Sequence, residues 1–156
     1  MQIIEWIGAW PGAVLLQESG TAYLFVNAAH ILGIGLLVGS ILPLDLRLAG
    51  CFPSVPLVVI GPFLLRIAAI GAATAILMGL WLFSVKPSEY IANPAFLWKM
   101  ALLATALGNV ALQHRSRDFV LAMEGGHIGL PVRIRAAISA LLWLCVLVAG
   151  RWIGFL

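Results

Sequence analysis

Charged residues are scarce in this sequence. Lysine, arginine, aspartate and glutamate together make up 10% of the 156 residues, whereas 63% are hydrophobic. A soluble domain carries roughly 25% charged residues, so fifteen charges are too few to cover the apolar surface of an ordinary globule. The composition therefore excludes a soluble domain and predicts an integral membrane protein.

The sequence also lacks the motifs of the common soluble enzymes. Cys51 and Cys145 form no CxxC pair and indicate no disulfide framework. The three histidines, His30, His114 and His127, lack the close spacing of a zinc site. There is no P-loop, no dinucleotide-binding glycine motif and no nucleophile elbow. Nothing in the sequence predicts a nucleic-acid partner.

Long hydrophobic runs are what the sequence does contain. A hydrocarbon core about 30 Å thick requires about 20 apolar residues per helix, and this chain has room for four such spans with short loops. Weak β-alternation argues against a barrel. We therefore predict an all-α fold, a single-domain integral membrane four-helix bundle with the lipid bilayer as its main partner. The predicted elements are an interfacial helix over about 2–17, bent near Pro11-Gly12, and spans over about 21–44, 63–84, 95–113 and 136–155.

Polar and proline-rich segments separate the spans. The first span is expected to end before Asp45-Leu46-Arg47, and a loop with Pro53, Pro56 and Pro62 follows. A turn is expected at 86–89, and the longest polar connection covers 114–135. Six lysines and arginines fall on one side of the predicted membrane and three on the other, which favours both termini outside. The six are Arg47, Arg66, Arg115, Arg117, Arg133 and Arg135, against Lys86, Lys99 and Arg151.

His30 is the most informative single residue. It lies about ten residues into the first span, roughly 15 Å below the outer surface at 1.5 Å per residue. Tyr23, Asn27 and His30 share one helix face at i, i+4 and i+7. Ionisable groups inside a membrane rarely lack a role. The alternative is a histidine that only forms a hydrogen bond with a neighbouring helix.

Two further patterns accompany His30. Thr105, Asn109 and Gln113 form a polar stripe predicted to face the interior, with Asn109 at a depth of roughly 18 Å. Asn109 is thus a candidate to fix the His30 imidazole, and simple interhelical hydrogen bonding is the alternative. Gly35 and Gly39 form a GxxxG pair that predicts close helix packing, or alternatively room for a flat macrocycle.

Several side chains near the span ends are candidates for ligand binding. Arg47, Arg66, Lys99 and Arg151 can extend to water or hold acidic groups such as haem propionates, and Asp45 is expected to pair with Arg47 or Arg66. His114 is the other histidine at a span end, but its depth differs from that of His30 by roughly 10 Å. Met78 is closer in level and is a chemically acceptable iron ligand. The candidate cofactor-binding residues are His30 (also the metal ligand), Asn27, Asn109, Met78, His114, Lys99, Arg47, Arg66 and Arg151.

The order of these motifs resembles an uncharacterised family of small bacterial four-helix membrane proteins over nearly the whole chain. The matching segments are Ala29-His30-Ile31-Leu32-Gly33, Leu37-Val38-Gly39-Ser40, Asp45-Leu46-Arg47, Asn93-Pro94-Ala95-Phe96, Lys99, Asn109, Trp143 and Gly150-Arg151-Trp152. The resemblance implies a multi-pass protein of the bacterial inner membrane. His30 and Lys99 also look like the histidine and lysine of the four-helix bacterial protoporphyrinogen oxidase, and of the membrane domain of copper-resistance protein D. The first of these binds haem b through its first-helix histidine, which implies His30 as axial ligand and Lys99 as a base facing the ligand or a propionate.

The leading functional hypothesis is a membrane b-type cytochrome, or a haem-binding oxidoreductase subunit, that passes electrons between a quinone and a partner. A single-histidine haem, or one shared between protomers, is compatible with the ligands available. The second hypothesis is a non-catalytic accessory subunit in a homo-oligomer or larger membrane complex. Copper handling ranks last, because the four methionines form no cluster for soft-metal capture.

Overall fold

The computed structural model describes residues 2–155, and these residues are almost entirely helical, with no strand among them. The prediction of an all-α fold class is confirmed. The helices are α1 (Gln2–Ala9), α2 (Pro11–Glu18), α3 (Gly20–Ala49), α4 (Leu57–Phe83), α5 (Pro87–Ala92), α6 (Pro94–His114), α7 (Arg117–Met123) and α8 (Leu130–Trp152), followed by a 3-10 turn (Ile153–Phe155).

Four of these helices, α3, α4, α6 and α8, are long and apolar enough to cross a membrane. Helix α3 packs against α4 and α8, and α8 packs against α6. We call the end where α3 and α6 begin and α4 and α8 end the upper end, and the opposite end the lower end. The short helices lie at these two ends: α1, α2 and α5 at the upper end, and α7 at the lower end.

The first span continues beyond its predicted end at Leu44. Helix α3 runs on to Ala49 because Asp45 and Leu48 are buried against neighbouring helices instead of reaching water. It ends at Gly50, whose φ of 114° lies in the left-handed region that glycine adopts without steric cost. Helix α4 begins directly after Pro56, so Pro62 lies inside a helix and not in the loop, where it was expected.

Other boundaries follow from prolines and capping side chains. The start predicted at Asn93-Pro94 is confirmed: Asn93 Oδ1 accepts hydrogen bonds from the amides of Ala95 at 2.9 Å and Phe96 at 3.3 Å. The turn expected at 86–89 is instead the start of α5, because Pro87 occupies a first-turn position in which its missing N–H costs nothing.

The connection expected over 114–135 is shorter than predicted. Residues 117–123 form α7, and α8 begins at Leu130, so the arginines at 133 and 135 belong to the last long helix. Helix α7 contributes Phe119 and Ala122 to the hydrophobic core, which explains why an apparently polar segment is ordered. The largest fully buried side chains of the core cluster are Leu44, Leu48 and Val132.

The closest helix contact is between α3 and α4. A Cβ placed on Gly33 would lie 2.6 Å from the amide nitrogen of Ala75 and 2.9 Å from the carbonyl oxygen of Gly71. Only glycine at this position permits such an approach of two backbones. A Cβ placed on either glycine of the predicted packing pair, Gly35 and Gly39, would meet nothing within 4 Å, so that prediction is wrong for contacts within residues 2–155. The two glycines lie on another face of α3, which a sequence pattern does not specify.

The N-terminal residues form two helices that break at Trp10, next to the predicted bend. Leu16 of α2 packs with Val26 of α3 and Leu82 of α4 in a second hydrophobic cluster. Trp81 Nε1 donates a hydrogen bond to the carbonyl of Gly12 at 2.8 Å. Helix α2 is therefore held against the upper end of α3 and α4 by both apolar and polar contacts.

Candidate functional site

His30 of α3 faces α4, and its ring orientation is defined by one hydrogen bond. Its Nδ1 lies 2.8 Å from the carbonyl oxygen of Ala75. A carbonyl only accepts, so Nδ1 carries the proton and Nε2 carries the lone pair. No residue within 2–155 forms a hydrogen bond with Nε2. This combination, a carbonyl-bound Nδ1 and a free Nε2, is the usual arrangement of a metal-ligating histidine.

The ring of His30 occupies space that a glycine leaves open. A Cβ on Gly79 of α4 would lie 2.9 Å from Cε1 of the ring but 3.8 Å from Nε2. The ring therefore packs on the α4 backbone through its Cε1–Nδ1 edge. Nε2 is the ring atom directed away from this glycine, and it is the atom available to a ligand.

Lys99 of α6 is a charged side chain that acts electrostatically on His30. It is half-buried, and its ammonium lies within electrostatic range of the imidazole. Its aliphatic chain runs along Gly150 of α8, where a Cβ would lie 3.5 Å from Cε and 3.6 Å from Nζ. Each of the two ionisable side chains thus lies against a glycine of a neighbouring helix. The charge of Lys99 therefore acts on the His30 imidazole, and the roles that the resemblance implied for the two residues stay a prediction.

Aromatic side chains cover the upper end above His30 and Lys99. The ring of Phe96 lies 5.5 Å from those of Phe83 and Tyr90. Burial raises the pKa of Tyr90, and nearby Tyr23 and Glu89 raise it further. Tyr90 therefore keeps its hydroxyl proton at neutral pH and offers an uncharged donor at this end of the helices.

Asn109, the predicted hydrogen-bond partner of the His30 imidazole, forms its hydrogen bond with another helix. Asn109 Nδ2 donates to the backbone carbonyl of Arg135 at 3.1 Å, and the carbonyl of Ala75 takes the role that the sequence assigned to Asn109. Asn27 is half-buried one turn above His30 on α3. Thr105 is exposed and bonds within its own helix, so it does not continue the stripe into the interior. Similar depth on two helices does not specify which way their side chains face.

Met78 and His114, the two candidates for a second axial ligand, lie in different parts of the structure. Met78 packs against the cluster of Leu16, Val26 and Leu82 beneath α2. His114 is exposed at the lower end, with Nδ1 2.9 Å from the carbonyl of Val110 and its ring centroid 5.0 Å from that of Phe119. The structure therefore places His114 at the lower end of α6, away from His30 in the upper half of α3.

The three candidate arginines do not converge on His30. Arg47 donates from Nε to the carbonyl of Val55 at 2.7 Å and also binds the carbonyl of Pro53, so it orders the loop after α3. Arg66 is exposed, and Arg151 lies 5.1 Å from the ring centroid of Phe155. The predicted pairing of Asp45 with Arg47 or Arg66 is wrong: across residues 2–155, Asp45 forms no ion pair.

Two buried polar features were not identified from the sequence. Trp143 of α8, nine residues before the end of that helix, is 3% exposed, and its Nε1–H has no partner in the described chain. Near the lower end, buried polar side chains line a cavity of about 20 Å³ that we call the lower chamber. Its defining residues are Asp45, Gln113, Arg135 and Ser139. The sequence contained one signal for this chamber, the carboxylate of Asp45 next to an apolar segment. The position of Asp45 in the sequence, however, predicts only a residue at the end of a span.

No set of three or more histidine, cysteine, aspartate or glutamate side chains in the described chain is placed to hold a metal ion. A haem iron differs because its macrocycle supplies four ligands and the protein needs to supply only the axial one. Comparisons with protein-family models, curated proteins and solved structures find no match for this chain.

Proposed function

We propose that this is a multi-pass protein of the bacterial inner membrane, in which α3, α4, α6 and α8 form a transmembrane bundle. The length and hydropathy of the four helices support membrane insertion. Their outward side chains are large and apolar, as lipid contact requires; Phe63, Leu77 and Leu141 are examples. The excess of arginine at the lower end supports a cytoplasmic lower end and periplasmic termini.

We further propose that the protein binds haem b at His30 and serves as a b-type cytochrome, or as the haem subunit of a quinone-linked oxidoreductase. The observation that carries this proposal is the His30 ring itself, whose Nδ1 is held by Ala75 and whose Nε2 is free. The resemblance to small bacterial membrane proteins and to the four-helix haem protein agrees with it.

The neighbouring residues fit such a group. Lys99 offers a positive charge to a haem propionate. Trp143 is buried on α8, a helix that packs against α3. Its unpaired, buried N–H is a donor that lacks an acceptor in the described chain. Haem b bound there would supply one-electron redox chemistry, and the chain would supply one axial histidine, so the haem is a single-histidine haem or is shared with a second protomer.

Absorption spectroscopy tests the haem proposal directly. The protein is expressed with a haem precursor, purified in mild detergent and scanned before and after dithionite reduction. We expect a Soret band and reduced α and β bands in the wild type and in His114→Ala, and their loss in His30→Ala. His114 is a matched control because it is a histidine at the lower end of α6. A colourless wild type with a native helical circular-dichroism spectrum would overturn the proposal.

A second candidate function is a non-catalytic subunit of a larger membrane complex. One observation favours it: Gly35 and Gly39 form a small-residue surface on α3 that no described residue covers. If the purified protein is colourless, replacement of Gly39 with leucine should release a co-purifying membrane subunit. The same change at Gly108, which is also uncovered but lies on α6, serves as the control. Copper handling finds no comparable support in the described residues.

A further inference from the structure

The lower chamber brings together four polar side chains, each with a buried atom that has no hydrogen-bond partner in the described chain. Asp45 and Ser139 are each 4% exposed and Gln113 is 7% exposed. Asp45 Oδ2, Gln113 Oε1 and Ser139 Oγ are buried and form no hydrogen bond with any described residue, and the same holds for one terminal nitrogen of Arg135. All four side chains line the same cavity. Unpartnered buried polar atoms are costly, so a cluster of four indicates a ligand.

The size and donor balance of the lower chamber match a single water molecule. A cavity of about 20 Å³ exceeds the roughly 10–15 Å³ that one water needs. Water donates two hydrogen bonds and accepts two. It can donate to Asp45 and Gln113 and accept from either Arg135 or the Ser139 hydroxyl, so one lone pair remains for an incoming proton. One water can therefore pair with three of these groups at a time.

The charges around the chamber argue against an ion. A cation would interact with the three oxygens but would be repelled by the guanidinium of Arg135. An anion would be repelled by the carboxylate of Asp45. Two nearby cations are directed elsewhere: Arg47 binds loop carbonyls, and Arg133 Nε donates to the carbonyl of Ile128 at 3.2 Å. The titratable or charged groups that line the chamber are therefore Asp45, Arg135 and His114.

The chamber has a route to the lower aqueous surface. His114 of α6 lines the cavity and is itself exposed, so its ring lies between the chamber and water. Asp45 is buried deeper and has no ion-pair partner in residues 2–155. A buried carboxyl in a hydrated cavity whose wall reaches the lower surface forms the elements of a short proton path.

We propose that the lower chamber holds one water molecule through which the Asp45 carboxyl exchanges a proton with the lower aqueous surface. On uptake, a hydronium ion from the lower aqueous surface gives a proton to the free lone pair of the chamber water. The water gives one of its own protons to Asp45 Oδ2, where a new O–H bond neutralises the carboxylate and the water is regenerated. Release reverses these steps. No electron moves, and bulk water supplies and receives the proton.

This proposal is independent of haem. Asp45 lies fifteen residues beyond His30 on α3, about 22 Å along the helix axis. The experiment below reports on a carboxyl group and a water molecule, so it works equally with a coloured or a colourless protein. Failure of the haem proposal therefore leaves this one testable, and the reverse also holds.

Infrared difference spectroscopy on the full-length protein in lipid nanodiscs tests the proposal. As buffer is exchanged from alkaline to acidic pH, we expect a protonated-carboxyl C=O band that shifts in D2O and is absent in Asp45→Asn. Asp118→Asn is the matched control, because Asp118 is an exposed aspartate on α7 outside the chamber, and it should keep the band. Ser139→Val fills the cavity and removes one donor, so it should move the band to higher frequency and abolish the O–H band of the chamber water.

Several results would overturn the proposal. One is a wild-type spectrum with no carboxyl band that responds to pH. Another is a band that persists unchanged in Asp45→Asn. If Asp45→Asn does not fold, Ser139→Val provides the test, because it leaves Asp45 in place. An unchanged carboxyl band together with an unchanged water band in Ser139→Val would show that the carboxyl is not linked to a chamber water.

Discussion

Replacing Gly33 with alanine tests the contact that sets the distance between α3 and α4. The new Cβ would lie 2.6 Å from the amide nitrogen of Ala75 and 2.9 Å from the carbonyl of Gly71. Both neighbours are backbone atoms, so no flexible side chain can move aside. Restoring an ordinary contact distance of 3.4 Å requires the two helices to separate locally by about 0.8 Å.

The expected cost follows from two opposing effects. Overpacking of a close interface typically costs about 1–3 kcal/mol, and the gain in helix propensity from glycine to alanine offsets at most about 1 kcal/mol. We therefore expect Gly33→Ala to lower the free energy of unfolding by about 1–2 kcal/mol, which corresponds to about a 5- to 30-fold change in the folding equilibrium.

Reversible unfolding by SDS in mixed micelles, followed by far-UV circular dichroism, measures this difference. Gly35→Ala is the matched control: it lies two residues away on the same helix, and a Cβ there meets no atom within 4 Å. The control should be neutral or stabilising by up to about 1 kcal/mol. Equal stability of the two variants, or a more stable Gly33→Ala, would refute the assigned helix interface.

Three further predictions concern the helix ends, the orientation and the N-terminal segment. Asn93→Ala should destabilise the protein by about 1 kcal/mol in the same unfolding assay because two first-turn amides lose their acceptor, whereas Asn93→Ser should retain most of the stability. With Cys145 replaced by serine, the exposed Cys51 should react with a membrane-impermeant maleimide in inside-out vesicles but not in spheroplasts; the opposite pattern contradicts a cytoplasmic lower end. Trp81→Phe removes the 2.8 Å hydrogen bond to Gly12, so amide hydrogen exchange should accelerate in α2 and stay unchanged in α6, and uniform exchange across both helices would contradict this contact.

The helical class and the four long apolar helices could be predicted because they depend on local properties. Run length and hydropathy are read directly from consecutive residues, and proline and asparagine mark a helix start by their own chemistry, as at Asn93-Pro94. The predicted end of the first span at Leu44 was wrong because that boundary depends on packing between helices and not on local sequence. A polar residue ends a membrane helix only if it reaches water, and the burial of Asp45 depends on other helices.

The candidate site likewise combines features that the local sequence predicts with features that depend on packing. The sequence alone singled out His30, because an ionisable side chain in a hydrophobic span is unusual wherever the helices pack. Its hydrogen-bond acceptor is a backbone carbonyl, that of Ala75, and a backbone carbonyl has no signature in the residue type. The glycines at 79 and 150, which make room for His30 and Lys99, are likewise indistinguishable in sequence from glycines that face outward.

The sequence by itself determined that this protein is helical, apolar over four long segments and marked by a histidine inside one of them. The tertiary structure decided which faces meet: Gly33 and not Gly35 at the α3–α4 contact, the Ala75 carbonyl and not Asn109 at the His30 ring, and Asp45 in a buried polar chamber. The physical reason is that hydrophobicity along the chain specifies where a helix lies in sequence and how deep each residue is. The rotation of each helix about its axis depends on side-chain packing between segments, which only the folded structure contains.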